Sequence, residues 1–247
     1  MRKLLGLILM AGVMALPVAA RAADTDTGAD MHKLDQRLDN SATTLEQIEG
    51  VALKGVPDWI ASKAKCIAVV PGLVKGAFIV GAEYGQGVVS CRTAHGWSGP
   101  VFIRLAGGSW GFQIGGSGTD LVLVAMNPQG MQDLLQTRFK IGGTAAVAAG
   151  PLGREAQAST NLTMHAELLT YSRSHGLFAG VDLSGATVSQ NVPDTVALYG
   201  GQYHGLDAIL DGDVPPPHNR ASEHFVHVLN RYFGQAREHV RQYNAEH

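Results

Sequence analysis

The stretch GAFIVGAEYGQGVVSC (residues 76–91) alternates apolar with small or polar residues and carries a glycine every few positions. Such a sequence could cradle a phosphate, bend a strand or turn a hairpin. Phosphate-binding loops carry G-x-x-x-x-G-K-[S/T], or G-x-G-x-x-G at the opening of a helix, and neither occurs intact in this chain. Glycines within and between strand-like runs instead allow bulges, bends and close approach of two backbones. The stretch therefore predicts β-structure and no nucleotide site.

Short apolar or alternating runs continue on both sides of this stretch, each bounded by Gly, Pro or Asn. A first β block comprises CIAVV (66–70), GAFIVGA (76–82), GVVSCR (87–92), GPVFIRLAG (99–107), SWGFQIG (109–115) and DLVLVAM (120–126). A second block comprises TAAVAAG (144–150), NLTMHAELLTYSR (161–173), GLFAGVDL (176–183) and GATVSQN (185–191). Strands in such close succession favour antiparallel pairing, because parallel strands need long crossovers. We expect an α+β fold, with an antiparallel β-barrel or sandwich-like core and flanking N- and C-terminal helices.

Helical spacing of apolar residues occurs towards both ends of the chain. The first stripe predicts a helix over residues 30–49 and consists of Met31, Leu34, Leu38, Ala42, Leu45 and Ile48. The second predicts a C-terminal helix at about 219–244 that packs back onto the domain, and consists of Phe225, Leu229, Tyr232, Ala236, Val240 and Tyr243. Two shorter helices are expected, one in PDWIASKA (57–64) and one near residues 129–138.

The N-terminal segment MRKLLGLILMAGVMALPVAARA has a basic start, a short apolar run and small residues at Ala20 and Ala22. This pattern predicts a signal peptide over residues 1–22, and the alternative is an uncleaved membrane anchor. We expect a mature chain that begins near Ala23 and forms a single domain over residues 23–247. Its expected location is the periplasm, either free or peripheral on a membrane.

The charge balance is mildly acidic, with 19 Lys and Arg against 21 Asp and Glu. Without residues 1–22, which contain Arg2, Lys3, Arg21 and no acid, 16 cations remain and the formal charge falls from −2 to −5. General nucleic-acid binding needs a broad basic surface, so no nucleic-acid partner is expected.

The chain contains two cysteines, Cys66 and Cys91. In an oxidising compartment such a pair favours a disulfide over half of a metal site. If residues 66–91 formed a plain three-stranded meander, the two cysteines would lie at opposite ends of it, too far apart to bond. A bridge would then require a bend, or a strand that leaves the sheet.

Catalytic and metal-binding patterns are weak in this sequence. Residues 107–111 match the G-x-S-x-G pattern around Ser109, but the alternating residues that follow favour a hairpin over the strand–turn–helix that a nucleophile elbow requires. His218, Glu223, His224 and His227 are close in sequence, but a solvated helix face explains them more simply than a metal site. We therefore expect no enzyme activity, no metal and no cofactor.

Positive residues flank the predicted β blocks. Lys63, Lys65 and Lys75 lie around the first strands, and Arg154 and Arg173 lie at the edges of the second block. If the two blocks fold together, these cations could line one mouth or one face of the sheet; the alternative is an ordinary solvated surface.

Several segments, in order, resemble the SYLF domain family. The residues that carry the resemblance are AKCIAVVPGLVKGAFIVGAEYGQGVVSCR, GGSWGFQIGGSGTDLVLVAMN, AAVAAGPLGR, AELLTYSRSHGLFAGVDLSGATV and ALYG at 197–200. The match runs from about residue 31 to residue 230. The resemblance implies non-catalytic binding of anionic phospholipids, with phosphoinositides as the ligands of eukaryotic members.

The resemblance also implies a site. Its mechanism combines an amphipathic N-terminal helix with cations that meet lipid head groups. On this chain the head-group cations would be Lys75, Arg173, Arg154 and Lys65, and the membrane-contacting helix would present Leu34, Leu38 and Leu45. The same helix could instead be packed in the core. Two other functions stay open: a scaffold of the bacterial envelope that binds protein partners, and a hydrolase that uses Ser109.

Overall fold

The computed structural model of the chain describes residues 26–50, 55–78, 80–110, 117–136, 138–141, 147–151, 166–174, 177–178, 183, 185–236, 238, 242 and 245. Its helices are α1 (Asp26–Glu49), α2 (Asp58–Lys63), α3 (Pro128–Leu135), α4 (Val192–Tyr199), α5 (Leu206–Asp211) and α6 (Arg220–Leu229), with a 3-10 turn at Gly200–Gln202 and a π-helical turn at Asn230–Gly234. Its strands are β1 (Cys66–Phe78), β2 (Val80–Thr93), β3 (Gly96–Trp97), β4 (Val101–Trp110), β5 (Ser117–Ala125), β6 (Arg138–Lys140), β7 (Val147–Ala149), β8 (Leu168–Ser174), β9 (Leu177–Phe178) and β10 (Thr187–Gln190).

The described strands form one curled sheet, a half-barrel, in the order β6-β10-β4-β2-β1-β5-β8-β7. Strand β3 pairs with β2, and β9 pairs with β8. Pairing is antiparallel except between β7 and β8, which run parallel. With helices at both ends of the chain, this arrangement confirms the predicted α+β class and corrects one detail, because the sheet is mixed.

Strands β1 and β2 form one long hairpin at the centre of the sheet. Cys66 lies directly opposite Cys91 in its register, and the two sulfurs are bonded at 2.01 Å. The predicted disulfide is therefore present, and the three-stranded meander that would have kept the two cysteines apart does not form. Two long strands form instead. Their pairing shifts register between Val69 and Val74, which is the kind of bulge that the glycine-rich sequence suggested.

Strands β4 and β5 do not pair with each other in the described part of the chain, although they are neighbours in sequence. Strand β4 pairs with β2 and β10, whereas β5 pairs with β1 and β8. The hairpin that the sequence favoured around Ser109 is therefore wrong, because β4 runs through Ser109 without a turn and the β1–β2 hairpin lies between β4 and β5. Ser109 lies within β4, which continues to Trp110.

The core lies on both sides of the central strands. Every residue of the run 66–70 is buried, which explains why this strand is apolar throughout and does not alternate. Helix α1 packs against β1, β2 and helix α6. The predicted helical stripe over 30–49 is thus confirmed, since Leu34, Leu38, Ala42, Leu45 and Ile48 are all buried.

The C-terminal helix begins as predicted. The side chain of Asn219 accepts a hydrogen bond from the Ser222 N–H at 2.7 Å, which satisfies one of the free donors at the start of α6. Phe225 and Leu229 are fully buried and Ala236 is nearly so, hence this segment packs back onto the domain. Two residues of the predicted stripe, Val240 and Tyr243, lie outside the described residues.

Candidate functional site

One face of the sheet is covered by helices at one end and open at the other. Phe102 belongs to the covered part, because the guanidinium of Arg37 on α1 lies 5.0 Å from the centre of its ring. Two residues further along β4, on the same face, Arg104 is exposed. Side chains alternate along a strand, so residues opposite one another in register share a face. The open part of this face therefore consists of Arg104, its neighbours on the same side of β4, and the residues that lie opposite them in the register of the adjacent strands.

A groove runs between helix α1 and the bend of the β1–β2 hairpin, with a volume of about 410 Å³. Helix α1 lines it with Lys33, Gln36, Arg37 and Asn40, and the hairpin lines it with Pro71, Gly72, Val74, Tyr84, Gly85 and Gln86. We call this the α1–hairpin groove. It combines two cations with amide and hydroxyl groups, so it can bind an anion whose oxygens accept hydrogen bonds.

The hairpin side of the groove carries an exposed apolar pair. Val74 and Tyr84 lie directly opposite each other in the register of β1 and β2. Val74 is 56% exposed and Tyr84 is 51% exposed, whereas most other large apolar side chains of the described residues are in the core. The pair sits beside cations, and this combination is typical of surfaces that meet a membrane interface.

Arg37 holds the groove together through a polar network. Its guanidinium donates to Asp194 on α4 at 2.7 Å and to the Gln86 side-chain oxygen at 2.6 Å. The Gln86 amide in turn donates to the Tyr84 hydroxyl at 2.9 Å. Asp194 also accepts a hydrogen bond from the side chain of Asn191. The network fixes one wall of the groove relative to the other.

The glycine at the bend has a conformational role. Gly72 has φ of +59°, in the left-handed region that other residues rarely adopt. Its N–H donates to a carboxylate oxygen of Asp120 on β5 at 3.0 Å. Gly72 thus allows the turn of the backbone that exposes Val74, and a neighbouring strand holds that turn in place.

Of the cations indicated by the resemblance, the three that lie in described residues are not gathered into one cluster. Lys75 lies opposite Glu83 and Ser117 in the register of β1, and Arg173 lies opposite Asp120 on β5. One strand separates them, and strand spacing and rise place their backbones about 14 Å apart at the same end of the sheet. Their partners on β5, Ser117 and Asp120, are three residues apart, so the register places the positions of Lys75 and Arg173 on opposite faces of the sheet and not on one common face.

Lys65 does not join them. The backbone N–H of Lys65 donates to the Ala125 carbonyl at 2.8 Å, at the other end of β1 from Lys75. The side chain of Lys65 is exposed. Arg154 lies outside the described residues, as do residues 1–22 and the expected start of the mature chain at Ala23.

The structure places Leu34, Leu38 and Leu45 in the core, between α1 and the elements it covers. This is the core-packed alternative of the two that the sequence left open. In this conformation α1 presents its polar side to the groove, and its leucines reach a membrane only if the helix leaves the fold. Among the helices in the described ranges, none is both long and apolar enough to cross a lipid bilayer.

The histidines near the C-terminus have other partners. His224 lies 3.2 Å from an oxygen of Asp39 on α1, and His218 lies 3.9 Å from Glu223. Within the described part of the chain, no three side chains of His, Cys, Asp or Glu are grouped so that they could hold a metal ion.

The residues that line the open face were not predicted from the sequence. Arg104 interrupts the apolar run VFIRLAG, and Arg138 begins the short segment RFK. A cation at an alternating position of a strand indicates that one face of the sheet is open to solvent, and this pattern could have identified both residues. Lys33 and Arg37 lie on the polar side of helix α1, whereas the prediction for this helix concerned its apolar stripe.

Comparison with known proteins identifies the family. Residues 106–232 match the family Ysc84, described as "Las17-binding protein actin regulator". The chain is 34% identical over 181 residues to SH3 domain-containing YSC84-like protein 1 of Rattus norvegicus, covering 72% of this chain and 52% of that protein. It is 31% identical over 166 residues to LAS seventeen-binding protein 3 of Saccharomyces cerevisiae, covering 66% of this chain and 36% of that protein.

The human SH3 domain-containing YSC84-like protein 1 is similar at 35% identity over 166 residues, which cover 66% of this chain and 48% of that protein. The chain therefore spans about half the length of the curated animal relatives it matches. These relatives carry names that record binding or a binding module, and none of those names records a catalysed reaction. By these matches, in agreement with the resemblance seen in its sequence, the chain belongs to the Ysc84 (SYLF) domain family.

Proposed function

We propose that this protein is a non-catalytic domain that binds anionic phospholipid or phosphoinositide-type head groups at a membrane surface of the bacterial envelope. The observation that carries the proposal is the exposed Val74–Tyr84 pair beside the α1–hairpin groove, which contains Lys33 and Arg37. Phosphate oxygens would accept hydrogen bonds from Lys33 and from amide groups of the groove, since Arg37 is engaged by Asp194 and Gln86, while the apolar pair would enter the head-group boundary.

The physical basis is the combination of two weak attractions. A basic residue near an anionic lipid surface contributes on the order of 1 kcal/mol, and exposed apolar groups add to this when they are withdrawn from water. The formal charge of the chain is negative, so adsorption driven by overall charge is disfavoured. Binding is therefore expected to depend on a focused site.

A flotation experiment with sized vesicles tests the proposal. Wild-type protein should float with vesicles that contain phosphatidylglycerol and stay in solution with pure phosphatidylcholine vesicles. Salt should weaken the interaction, because the Debye length falls from about 10 Å at 0.1 M to about 3 Å at 1 M. Equal flotation with neutral and anionic vesicles, or none with either, would contradict the proposal.

The cations taken from the resemblance are tested in the same assay. A Lys75→Glu/Arg173→Glu variant should float less with anionic vesicles if those residues meet head groups. Arg173 lies opposite Asp120, so a glutamate there places like charges across two strands and costs about 0.2–1 kcal/mol of stability. The matched variant is therefore Lys75→Gln/Arg173→Gln. The thermal stability of both double variants should be measured before their flotation is compared.

A protein partner is the second candidate function. It is favoured by the name of one relative, which records binding to LAS seventeen. A domain that acts through protein partners alone would retain a co-purifying partner and would be indifferent to vesicles of any charge. Pull-down with the wild-type protein, in the presence and absence of anionic vesicles, separates this function from lipid binding.

A further inference from the structure

Four neighbouring strands bring polar and positively charged residues into a row across the open face of the sheet. Arg138 on β6 lies opposite Ser189 on β10, Ser189 lies opposite Arg104 on β4, and Arg104 lies opposite Gln86 on β2. A second row, next to the first on the same face, consists of Lys140, Thr187, Ala106 and Tyr84, and Tyr84 continues to Val74 on β1. We call these two rows together the cationic strand face.

Burial shows that this face is open. Arg104, Arg138 and Lys140 are exposed, while Phe139 between the two cations of β6 is buried on the opposite face. Leu105 is fully buried next to Arg104, as alternation requires. Arg104 uses one guanidinium nitrogen to donate to Asn191 at 2.8 Å, which orients its head group along the face.

The charge of this face is positive among the described residues. Two acids lie beside it: Asp194 is engaged by Arg37 and Asn191, and the Asp120 carboxylate accepts a hydrogen bond from the Gly72 N–H. Glu83 lies on the opposite side of β2 from Tyr84 and is buried. Charge complementarity therefore selects an anionic occupant.

The shape of the face selects an extended occupant. Neighbouring strands are about 4.8 Å apart, so the rows from β6 to β1 extend over roughly 19 Å. This width exceeds one head group and suits several phosphates lying in a plane. The Val74–Tyr84 pair closes the second row, where an exposed tyrosine can sit at the head-group boundary.

We propose that the cationic strand face docks on an anionic bilayer, with Arg104 and Arg138 on lipid phosphates and Tyr84 at the interface, while helix α1 stays packed in the core. This inference rests on the proposed function and assigns its contact surface to residues that neither the resemblance nor the comparisons indicate. It differs from insertion of α1, because the buried leucines of that helix do not have to leave the fold.

The test compares two double variants that remove the same charge. Arg104→Gln/Arg138→Gln removes two cations from the face, and Arg220→Gln/Arg231→Gln removes two exposed cations from helix α6 and from the π-helical turn that follows it. Against phosphatidylglycerol vesicles the first should raise the dissociation constant about 30-fold, the effect of losing two cations near an anionic surface. The control should change it less than about twofold.

Further measurements keep the inference falsifiable. Arg138→Gln alone, on the outermost described strand, should weaken binding about fivefold even if the Arg104 variant loses stability. Soluble glycerol phosphate at the same phosphate concentration should not displace bound protein, and amide hydrogen exchange in α1 should be unchanged on binding.

Each contrary result has a distinct meaning. If wild-type protein binds anionic vesicles and the Arg104/Arg138 variant binds equally well, the inference is wrong and the proposed function stands. Equal losses in the two double variants, displacement by glycerol phosphate, or faster exchange in α1 on binding would also overturn the inference. If wild-type protein binds no anionic vesicle, both the inference and the proposed function fail.

Discussion

Arg37 on helix α1 donates to Asp194 on helix α4 at 2.7 Å, joining two helices whose paired residues are 157 positions apart. The two side chains are only 14% and 26% exposed. A pair so placed is partly shielded from water, and its guanidinium also lies over the ring of Phe102. The contact therefore couples the helix before the sheet to the helix after it.

A double-mutant cycle should measure this coupling. Replacing Arg37 and Asp194 by alanine, singly and together, should reveal an interaction of about 1.5–3 kcal/mol in the free energy of unfolding from urea titrations. The matched pair is Lys33 and Asp30, 3.1 Å apart but 67% and 57% exposed, which should give no more than about 1 kcal/mol. Equal couplings for both pairs would show that burial of the Arg37 pair has no energetic consequence.

Gly87→Ala should destabilise the protein strongly. A Cβ at this position would lie 1.9 Å from the Val69 carbonyl oxygen, so the two central strands would have to separate. We expect a loss of more than about 3 kcal/mol in the free energy of unfolding, by the overpacking mechanism. The control is Gly118→Ala, where nothing lies within 4 Å of the new Cβ and stability should change little. A mild effect at Gly87 would mean that the hairpin relaxes easily.

Removal of the disulfide should lower stability by about 3 kcal/mol. The bond joins residues separated by 25 positions, and closing a loop of that size restricts the unfolded chain by this amount. Urea titration of the Cys66→Ala/Cys91→Ala variant, compared with oxidised wild type, measures the difference. Mass spectrometry after alkylation without reduction is the independent check, and two labelled thiols in exported protein would refute the bridge.

Asp133 should make stability depend on pH. Burial raises the pKa of this carboxyl above its ordinary value of 3.8, and the nearby Glu167 raises it further, against a lowering by the hydrogen bond from Gln129. A carboxyl with a higher pKa in the folded state favours folding when protonated, so its contribution declines as pH rises above about 3.8.

The Asp133→Asn variant removes this titration and keeps an oxygen that can accept from Gln129 and Gln136. The stability of the wild type relative to this variant should therefore fall as pH is raised from 3.8 towards neutrality. Urea titrations of both proteins across that range measure it. A relative stability that stays constant or rises with pH would contradict the expected direction of the pKa.

The sequence by itself determined the features that depend on local periodicity. The stripe of Leu34, Leu38 and Leu45 predicted helix α1 and its buried side, because helical spacing places these residues on one face whatever packs against it. The strand runs predicted most of the sheet in the same way. With two cysteines in the chain, one intramolecular pairing is possible, and it is the one that forms.

Only the tertiary structure decided which strands are neighbours and which residues share the open face. Local patterns do not say which strands pair, so they could not show that the β1–β2 hairpin lies between β4 and β5, or that Arg138 and Arg104 lie on one face, separated by a single strand. The groove depends on the same long-range pairing, since Arg37 meets Gln86 and Asp194 only after three distant segments have packed together. The spacing of side chains along a helix or strand is set by the local backbone conformation over a few residues. The order of the strands depends instead on how the whole core is buried.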